Sequence, residues 1–342
     1  MSEKRIYIEI NNTCNFSCSF CPYPLLKCRK QNMQLKQIKE ILEDIKNNIE
    51  YRIIYFHNLN EPLLYPNIDE LIQFCDKNGI RYGITTNGIF LDKHIETFKN
   101  CKMQELNISY QVINDNENTI RNNKMSVTEY RKFLVKNVTK IKEKFKGEIK
   151  IKLLITDQNS YFNNRKIYGF SSTNEILKEI NAYYKLFLKK KLTDEQIKKI
   201  SCIDITKFCK INLFDNVYIE LFPFLTWGNY YEKVHKAFFG KCDGISGQLQ
   251  IKANGDVVPC CYDFNSKLLL GNINNDKLSK ILKSRRYKKM SNNILSNKLV
   301  YSRCRKCLGK KNYCELIKNQ YYSLFKSKIE DRFIYSNNEI RL

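Results

Sequence analysis

The chain has 342 residues, 43% of them hydrophobic, which is enough for a full core and excludes a generally disordered protein; the length suits one large domain or two unequal ones. Its 59 Lys and Arg exceed 35 Asp and Glu by 24, but the densest runs, Lys189-Lys190-Lys191 and Lys283 to Lys289, read as wet helix faces, so a nucleic-acid partner is not expected. No apolar run reaches spanning length and MSEKRIYIEI lacks the apolar core of a signal peptide, so no membrane segment is expected and the expected location is the cytoplasm.

Residues 5–10 alternate like a strand and run into the first cysteine-rich loop. Leu35, Ile38, Ile41, Leu42 and Ile45 recur at helical spacing over 34–48. Ile53 to Phe56 form a short apolar run that ends in a polar turn with Pro62, and helical spacing returns over 68–78. Tyr82 to Thr86 read as a strand closed by Asn87-Gly88, a turn signal. A helix is expected over 91–99, a strand over Leu106 to Val112, a helix over 127–145 and a strand over 149–156. This alternation predicts a parallel sheet with helices outside it. Residues 157–213 break the rhythm with Asn- and Ser-rich loops and two helical stretches. One of these begins at Thr193, where Gln196 completes a capping box. A last strand, Val217 to Phe222, precedes the second cysteine-rich region.

In a reducing compartment clustered cysteines point to metal or redox chemistry, not disulfides. Of 14 cysteines, three fall within residues 14–21 and six within 242–314; Cys28, Cys75, Cys101, Cys202 and Cys209 are scattered and read as small buried hydrophobes. Cys14-Asn-Phe-Ser-Cys18-Ser-Phe-Cys21 spells C-x3-C-x2-C after the first strand. Three thiolates on one loop ligate three irons of a cubane cluster and leave the remaining iron open to a ligand. A zinc knuckle with Cys28 as the local fourth ligand is the competing reading.

This motif resembles the signature of the radical S-adenosylmethionine (SAM) superfamily. The resemblance implies an α/β fold, a partial (β/α)6 TIM-type barrel. It also implies a [4Fe–4S] cluster on Cys14, Cys18 and Cys21 whose open iron is chelated by SAM, and reductive cleavage of SAM to a 5′-deoxyadenosyl radical that abstracts hydrogen from a substrate. Phe20 matches the aromatic position near the adenine. His57-Asn-Leu-Asn-Glu-Pro-Leu-Leu is similar to the family's Gly-Gly-Glu-Pro-type motif, which binds the SAM amino group. Glu61 and Pro62 match it, while Asn58 and Asn60 stand where glycines are commoner. Thr85-Thr86-Asn87-Gly88 resembles the family's TNG turn, and Ser109, on the fourth strand, the position that contacts the ribose. Ile155 reads as adenine packing or core. His57 reads as a cofactor contact or, more simply, a turn residue.

Cys242, Gly255 and Cys260 give C-x12-G-x4-C, followed by Cys304-Arg-Lys-Cys307 and Cys314. This stretch resembles the SPASM/twitch extension of radical SAM barrels. The resemblance implies one auxiliary [4Fe–4S] cluster on Cys242, Cys260, Cys304 and Cys307, with Cys261 and Cys314 in reserve; a zinc ribbon is the competing reading. The expected domains are 1–230, with 157–213 as an irregular insertion, then 231–318 for the auxiliary cluster and a tail over 319–342. An amphipathic helix is expected at about 276–290.

The first strand starts near residue 5, which leaves no room for a preceding peptide-recognition domain, so a small molecule or sugar is preferred over a peptide. A peptide-modifying maturase and, in a different class, a zinc protein that binds RNA without catalysis remain as alternatives. The implied electron donor is a flavodoxin or ferredoxin. Trp227 is expected near the mouth of the barrel, lining the pocket or in the core. Asp263 is expected to be a surface acid rather than a base.

Overall fold

The computed structural model describes residues 3–26, 29–111, 114–116, 123–157, 160–224, 226–242, 244–325 and 339–342. In chain order the elements are β1 (Lys4–Ile8), α1 (Leu35–Asn48), β2 (Tyr51–Tyr55), α2 (Ile68–Lys77), β3 (Tyr82–Thr86), α3 (Ile95–Asn100), β4 (Glu105–Ile108), α4 (Val127–Lys142) and β5 (Glu148–Ile155). The hairpin β6 (Tyr161–Phe162) and β7 (Arg165–Lys166) follows, then α5 (Thr173–Leu188), α6 (Asp194–Ser201), β8 (Cys209–Phe214) and β9 (Val217–Pro223). The remainder holds α7 (Gly244–Gly247), β10 (Gln248–Ile251), β11 (Asp256–Val258), β12 (Gly271–Asn272), α8 (Leu278–Lys283), α9 (Arg285–Leu295), α10 (Ser302–Cys307), α11 (Tyr313–Phe325) and β13 (Glu339–Arg341). Strands β1, β2, β3, β4, β5 and β9 alternate with helices in the order expected of a partial (β/α)6 barrel. Among the described residues, no helix is long and apolar enough to cross a membrane.

The backbone divides into two compact units. One holds the described residues of Met1–Thr13, Cys28–Asn60 and Leu225–Ser336. Here β1 lies between two parallel neighbours, β2 and β10, and β11 and β12 extend the sheet antiparallel. Its β-branched and aromatic strand residues suit a pleated, buried surface, and Ile6, Ile8 and Ile54 are fully buried. Helix α1 buries Ile38, Ile41, Leu42 and Ile45, the stripe its spacing predicts. Its Asp44 carboxylate accepts hydrogen bonds from the backbone N–H (2.8 Å) and hydroxyl (2.7 Å) of Ser279, at the start of α8. The amphipathic helix expected at 276–290 is two helices, because the Ser284 hydroxyl accepts from the Tyr287 N–H at 3.2 Å and caps a fresh start for α9.

The other unit holds the described residues of Cys14–Lys27, Glu61–Phe224 and Asn337–Leu342. Strands β3, β4, β5 and β9 are parallel in that order, β8 runs antiparallel to β9, and β13 runs parallel to β8. Residues 157–213 are therefore more regular than expected. Cys209, Ile211 and Leu213 alternate inward on a genuine sheet strand, and capping boxes start α5 at Ser172 and α6 at Thr193. Strand β4 is shorter than expected and stops at Ile108. Ser109 follows it, and at Gln111 the chain turns into the left-handed region with φ 50°; Val112 lies outside the described residues.

The turn after β3 carries a glycine constraint of its own, a left-handed backbone with no room for a side chain. Gly88 has φ 81°, and a β-carbon there would lie 2.5 Å from Leu134 Cδ2 and 3.3 Å from Ile108 Cγ2. Gly88→Ala is expected to cost about 2 kcal/mol through left-handed strain and overpacking, read as a lowered urea midpoint with an unchanged slope.

Candidate functional site

The first candidate site is built on the cysteine loop 14–21 and the turns after β3 and β4. The Cys14 N–H donates to the Tyr23 hydroxyl at 3.0 Å, and the Cys21 N–H to the Cys18 carbonyl at 3.1 Å. Two sulfurs accept backbone donors, Cys14 Sγ from the Phe16 N–H and Cys21 Sγ from the Tyr23 N–H, both at 3.4 Å. Burial pushes the Cys14 thiol up, and neighbouring Cys18, Glu61 and Cys21 add to the shift. Sequence reasoning missed Arg165, on the β6–β7 hairpin. Its guanidinium donates to the Cys21 carbonyl at 2.7 Å and the Cys18 carbonyl at 3.4 Å, pinning both cysteines by their backbone. Phe20 is half-buried in this loop.

Glu61 is 2% exposed. One carboxylate oxygen accepts from the Thr86 hydroxyl (2.6 Å) and the Leu63 N–H (3.1 Å), the other from the Asn87 N–H (2.7 Å). Burial raises its carboxyl to about 7 against the pull of these bonds. Three donors point at it, so an adjacent cation would hold it ionised. Asn87 in turn donates from Nδ2 to Asn15 Oδ1 at 2.9 Å, which ties the turn after β3 to the cysteine loop. The buried Tyr130 hydroxyl donates to the Asn87 carbonyl. Ser109 is half-buried, and its N–H donates to the Thr86 carbonyl at 2.7 Å. Glu61, Asn87, Ser109 and the cysteine loop thus share one locality, and Ile155 is buried at the end of β5.

Asn60 lies in the other unit. Its Nδ2 donates to Asn11 Oδ1 at 2.5 Å, and its Oδ1 accepts from the Asn58 N–H at 2.7 Å. The amide side chain braces the turn in place of glycine flexibility. The His57 ring packs edge-on against Tyr7 and Tyr55. Cys28 lies outside the described residues.

The second candidate site lies wholly in the unit that contains β10. Cys304 and Cys307 sit three apart on α10 and so on one helix face. Burial pushes the Cys304 thiol up to about 12 and the Cys307 thiol up to about 11. Cys242 adds to both shifts, and Arg303 opposes both. Burial also pushes Cys260 up, with Cys261, Cys242 and Cys307 adding to it. The expected quartet therefore shares one electrostatic neighbourhood. Cys261 is half-buried beside it, while Cys314 is exposed. Cys242 Sγ accepts from the Gly244 N–H at 3.3 Å.

Two glycines make room for these sulfurs. A β-carbon on Gly244 would lie 3.2 Å from Cys242 Sγ, and one on Gly228 only 2.7 Å from Cys307 Sγ. Trp227, Gly228 and Asn229 are consecutive left-handed residues, with φ 49°, 63° and 56°. Long-range bonds hold this kink. Arg303 donates to the carbonyls of Gly228 (2.6 Å), Trp227 (2.7 Å) and Tyr262 (3.0 Å). Asn229 Nδ2 donates to the carbonyls of Lys306, Cys307 and Gly309 at 3.0 to 3.1 Å. Neither clamp residue was singled out by sequence. The Trp227 ring packs edge-on to Tyr262 and Phe264. Asp263 is not a surface acid: it is fully buried and accepts from the N–H groups of Lys267 (3.0 Å) and Leu268 (2.7 Å), because the turn after Cys260-Cys261 needs an acceptor there.

Among the described residues, no three His, Cys, Asp or Glu side chains are gathered to hold a single metal ion. The all-thiol donor sets, the N–H bonds to Cys14, Cys21 and Cys242, and the space kept clear by Gly228 and Gly244 fit iron–sulfur clusters.

Residues 8–159 match the model of the radical SAM superfamily, and residues 242–308 match SPASM, an iron–sulfur cluster-binding domain. The tungsten-containing aldehyde ferredoxin oxidoreductase cofactor-modifying protein of Pyrococcus furiosus is 31% identical over 88 residues, 26% of this chain and 25% of that protein. A GTP 3′,8-cyclase of Alkaliphilus oremlandii is 31% identical over 110 residues, 31% of this chain and 34% of that protein. The chain thus spans about a quarter and a third of these relatives' lengths. Streptococcus suis SuiB bound to S-adenosylmethionine shares the fold at a TM-score of 0.52 and 16% identity, covering 92% of this chain and 74% of SuiB. SuiB has also been solved with its precursor peptide SuiA.

Gly228→Ala would drive a β-carbon against Cys307 Sγ, whereas Gly79→Ala, at a similar φ of 64°, meets open space. After anaerobic reconstitution, Gly228→Ala is expected to hold about half the iron and sulfide of Gly79→Ala. Equal iron in the two would disconnect this kink from the auxiliary cluster.

Proposed function

From the radical SAM domain and the SPASM iron–sulfur cluster-binding domain that this chain carries, we propose an enzyme that cleaves SAM reductively and abstracts hydrogen from a small organic substrate. One observation carries the reading: the hydrogen bonds from Glu61 through Thr86 and Asn87 to Asn15 join the acidic turn, the Asn-Gly turn and the cysteine loop. Cys14, Cys18 and Cys21 hold the SAM-binding [4Fe–4S] cluster. Bound and reduced, that cluster supplies the electron that splits the sulfonium of SAM into methionine and a 5′-deoxyadenosyl radical.

The chain's own groups bind and orient. Glu61, already surrounded by three donors, offers its carboxylate to the SAM ammonium, and the Asn60 backbone carbonyl lies next to it in sequence. Asn87 and Ser109 would contact its ribose, and Phe20 would pack near its adenine. Arg165 fixes the spacing of Cys18 and Cys21 through their carbonyls. Cys242, Cys260, Cys304 and Cys307 hold the auxiliary cluster. Four thiolates would leave it no open position, and the chemistry it would supply is acceptance of an electron from the substrate, giving net oxidation. A flavodoxin or ferredoxin is the electron donor, and the cytoplasm the setting. A peptide is the second reading of the substrate, since SuiB, with a peptide-bound structure, shares the fold.

Anaerobic protein incubated with SAM and dithionite is expected to form 5′-deoxyadenosine, measured by chromatography. Cys18→Ala should lower this to background. Cys304→Ala should spare uncoupled cleavage, and Cys314→Ala should match the parent in iron, sulfide and cleavage. Glu61→Gln should raise the SAM concentration needed for half-maximal cleavage about tenfold, the loss of one buried charge-assisted contact. Zinc without sulfide in folded protein would replace this reading with that of a zinc protein.

A further inference from the structure

We propose that the cavity on the flank of α10 binds the phosphoryl group of a small phosphorylated molecule. The cavity has a volume of about 790 Å³ and is lined by Lys233, Lys236, Lys267, Arg303 and Lys306. Among the described residues that line it, Glu232 is the one carboxylate, and Lys311 already pairs with it at 2.6 Å. Lys236, Lys267, Arg303 and Lys306 thus share one wall. Like charges gathered around one concave volume repel each other and are relieved by an anion of matching charge.

A second observation points to the same ligand. Arg303 is 9% exposed, and its terminal nitrogens are spent on three backbone carbonyls, yet among the described residues its buried Nε–H has no acceptor. A buried guanidinium donor without a partner is rare and costly, and phosphate oxygens are its natural acceptors. The Tyr230 ring lies against both Arg303 (5.0 Å) and Lys267 (5.7 Å), which steadies two of the cations. The Ser302 hydroxyl, which accepts from Lys236 at 3.2 Å, adds a polar group to the wall. The volume suits a small molecule rather than a nucleic-acid strand.

Arg303 and Lys306 alternate with Cys304 and Cys307 along α10. The site stands on its own geometry. Only its role as the handle of the substrate rests on the function proposed above.

The test is calorimetric titration of the anaerobic, cluster-loaded protein with pyrophosphate, alongside sulfate and a short single-stranded RNA. Pyrophosphate should bind more tightly than sulfate. Lys236→Ala/Lys267→Ala should weaken pyrophosphate at least tenfold with unchanged iron content, while Lys236→Arg retains affinity. Lys189→Ala/Lys190→Ala, on exposed residues far along the chain, should bind as the parent does. No pyrophosphate binding by the parent, or equal affinity in the double variant, overturns the proposal. So does RNA binding tighter than pyrophosphate that the double variant loses, which would make the ligand a nucleic acid. Measuring 5′-deoxyadenosine in the same preparations separates the two ideas: lost SAM cleavage with intact pyrophosphate binding counts against the enzyme, not against this cavity.

Discussion

A carboxylate taken out of water is costly unless donors surround it, and Glu61 meets that constraint with three. The donors come from two turns, Leu63 just after Glu61 and Thr86 and Asn87 at the end of β3. Since Asn87 also reaches Asn15, the carboxylate becomes the hub that ties the cysteine loop to the sheet. The same burial leaves Glu61 near neutrality in its proton affinity, so a ligand cation beside it gains more than it would in water. A cationic sulfonium amino acid is that kind of ligand. The glycine at position 88 is needed for the same reason: a β-carbon there would push the turn off Leu134 and break the alignment of its donors.

The second site solves a different problem. Four thiols on three chain segments, around Cys242, Cys260 and α10, must be brought close. Arg303 and Asn229 act as reciprocal clamps. Arg303 reaches from α10 to the kink at Trp227-Gly228, and Asn229 reaches from the kink to the end of α10. The kink holds three left-handed residues, two of them not glycine, at a cost of about 1 kcal/mol each or more. The clamp offsets that strain, and the absence of a side chain at Gly228 leaves the space beside Cys307.

Much of this was legible along the chain, and what was not follows from sequence separation. Close spacing exposes Cys14, Cys18 and Cys21, and periodicity exposes α1, α2 and the Thr193 capping box. Lys288 and Lys289 are exposed while Tyr287 and Met290 are buried, as a wet helix face requires. Arg165 was hidden because its acceptors lie 144 and 147 residues away. Arg303 and Asn229 were hidden likewise, across about 75 residues. Asp263 was misjudged because an acid beside polar neighbours looks solvated until the turn around it is seen to have spare N–H groups. Strand β8 was passed over although its alternation was present, since the loops before it broke the strand–helix rhythm.

Arg303 joins these threads. Arg303 opposes the upward shift that burial and neighbouring sulfurs impose on Cys304 and Cys307. A lysine could supply the charge but not the geometry, since a single ammonium cannot reach the three separate carbonyls that the planar guanidinium spans. The residue is therefore fixed twice over, by the kink it holds and by the sulfurs it faces. Having met both demands with its terminal nitrogens, it still presents Nε–H toward no acceptor among the described residues. Arg303 is thus a buried cation at which charge and packing meet.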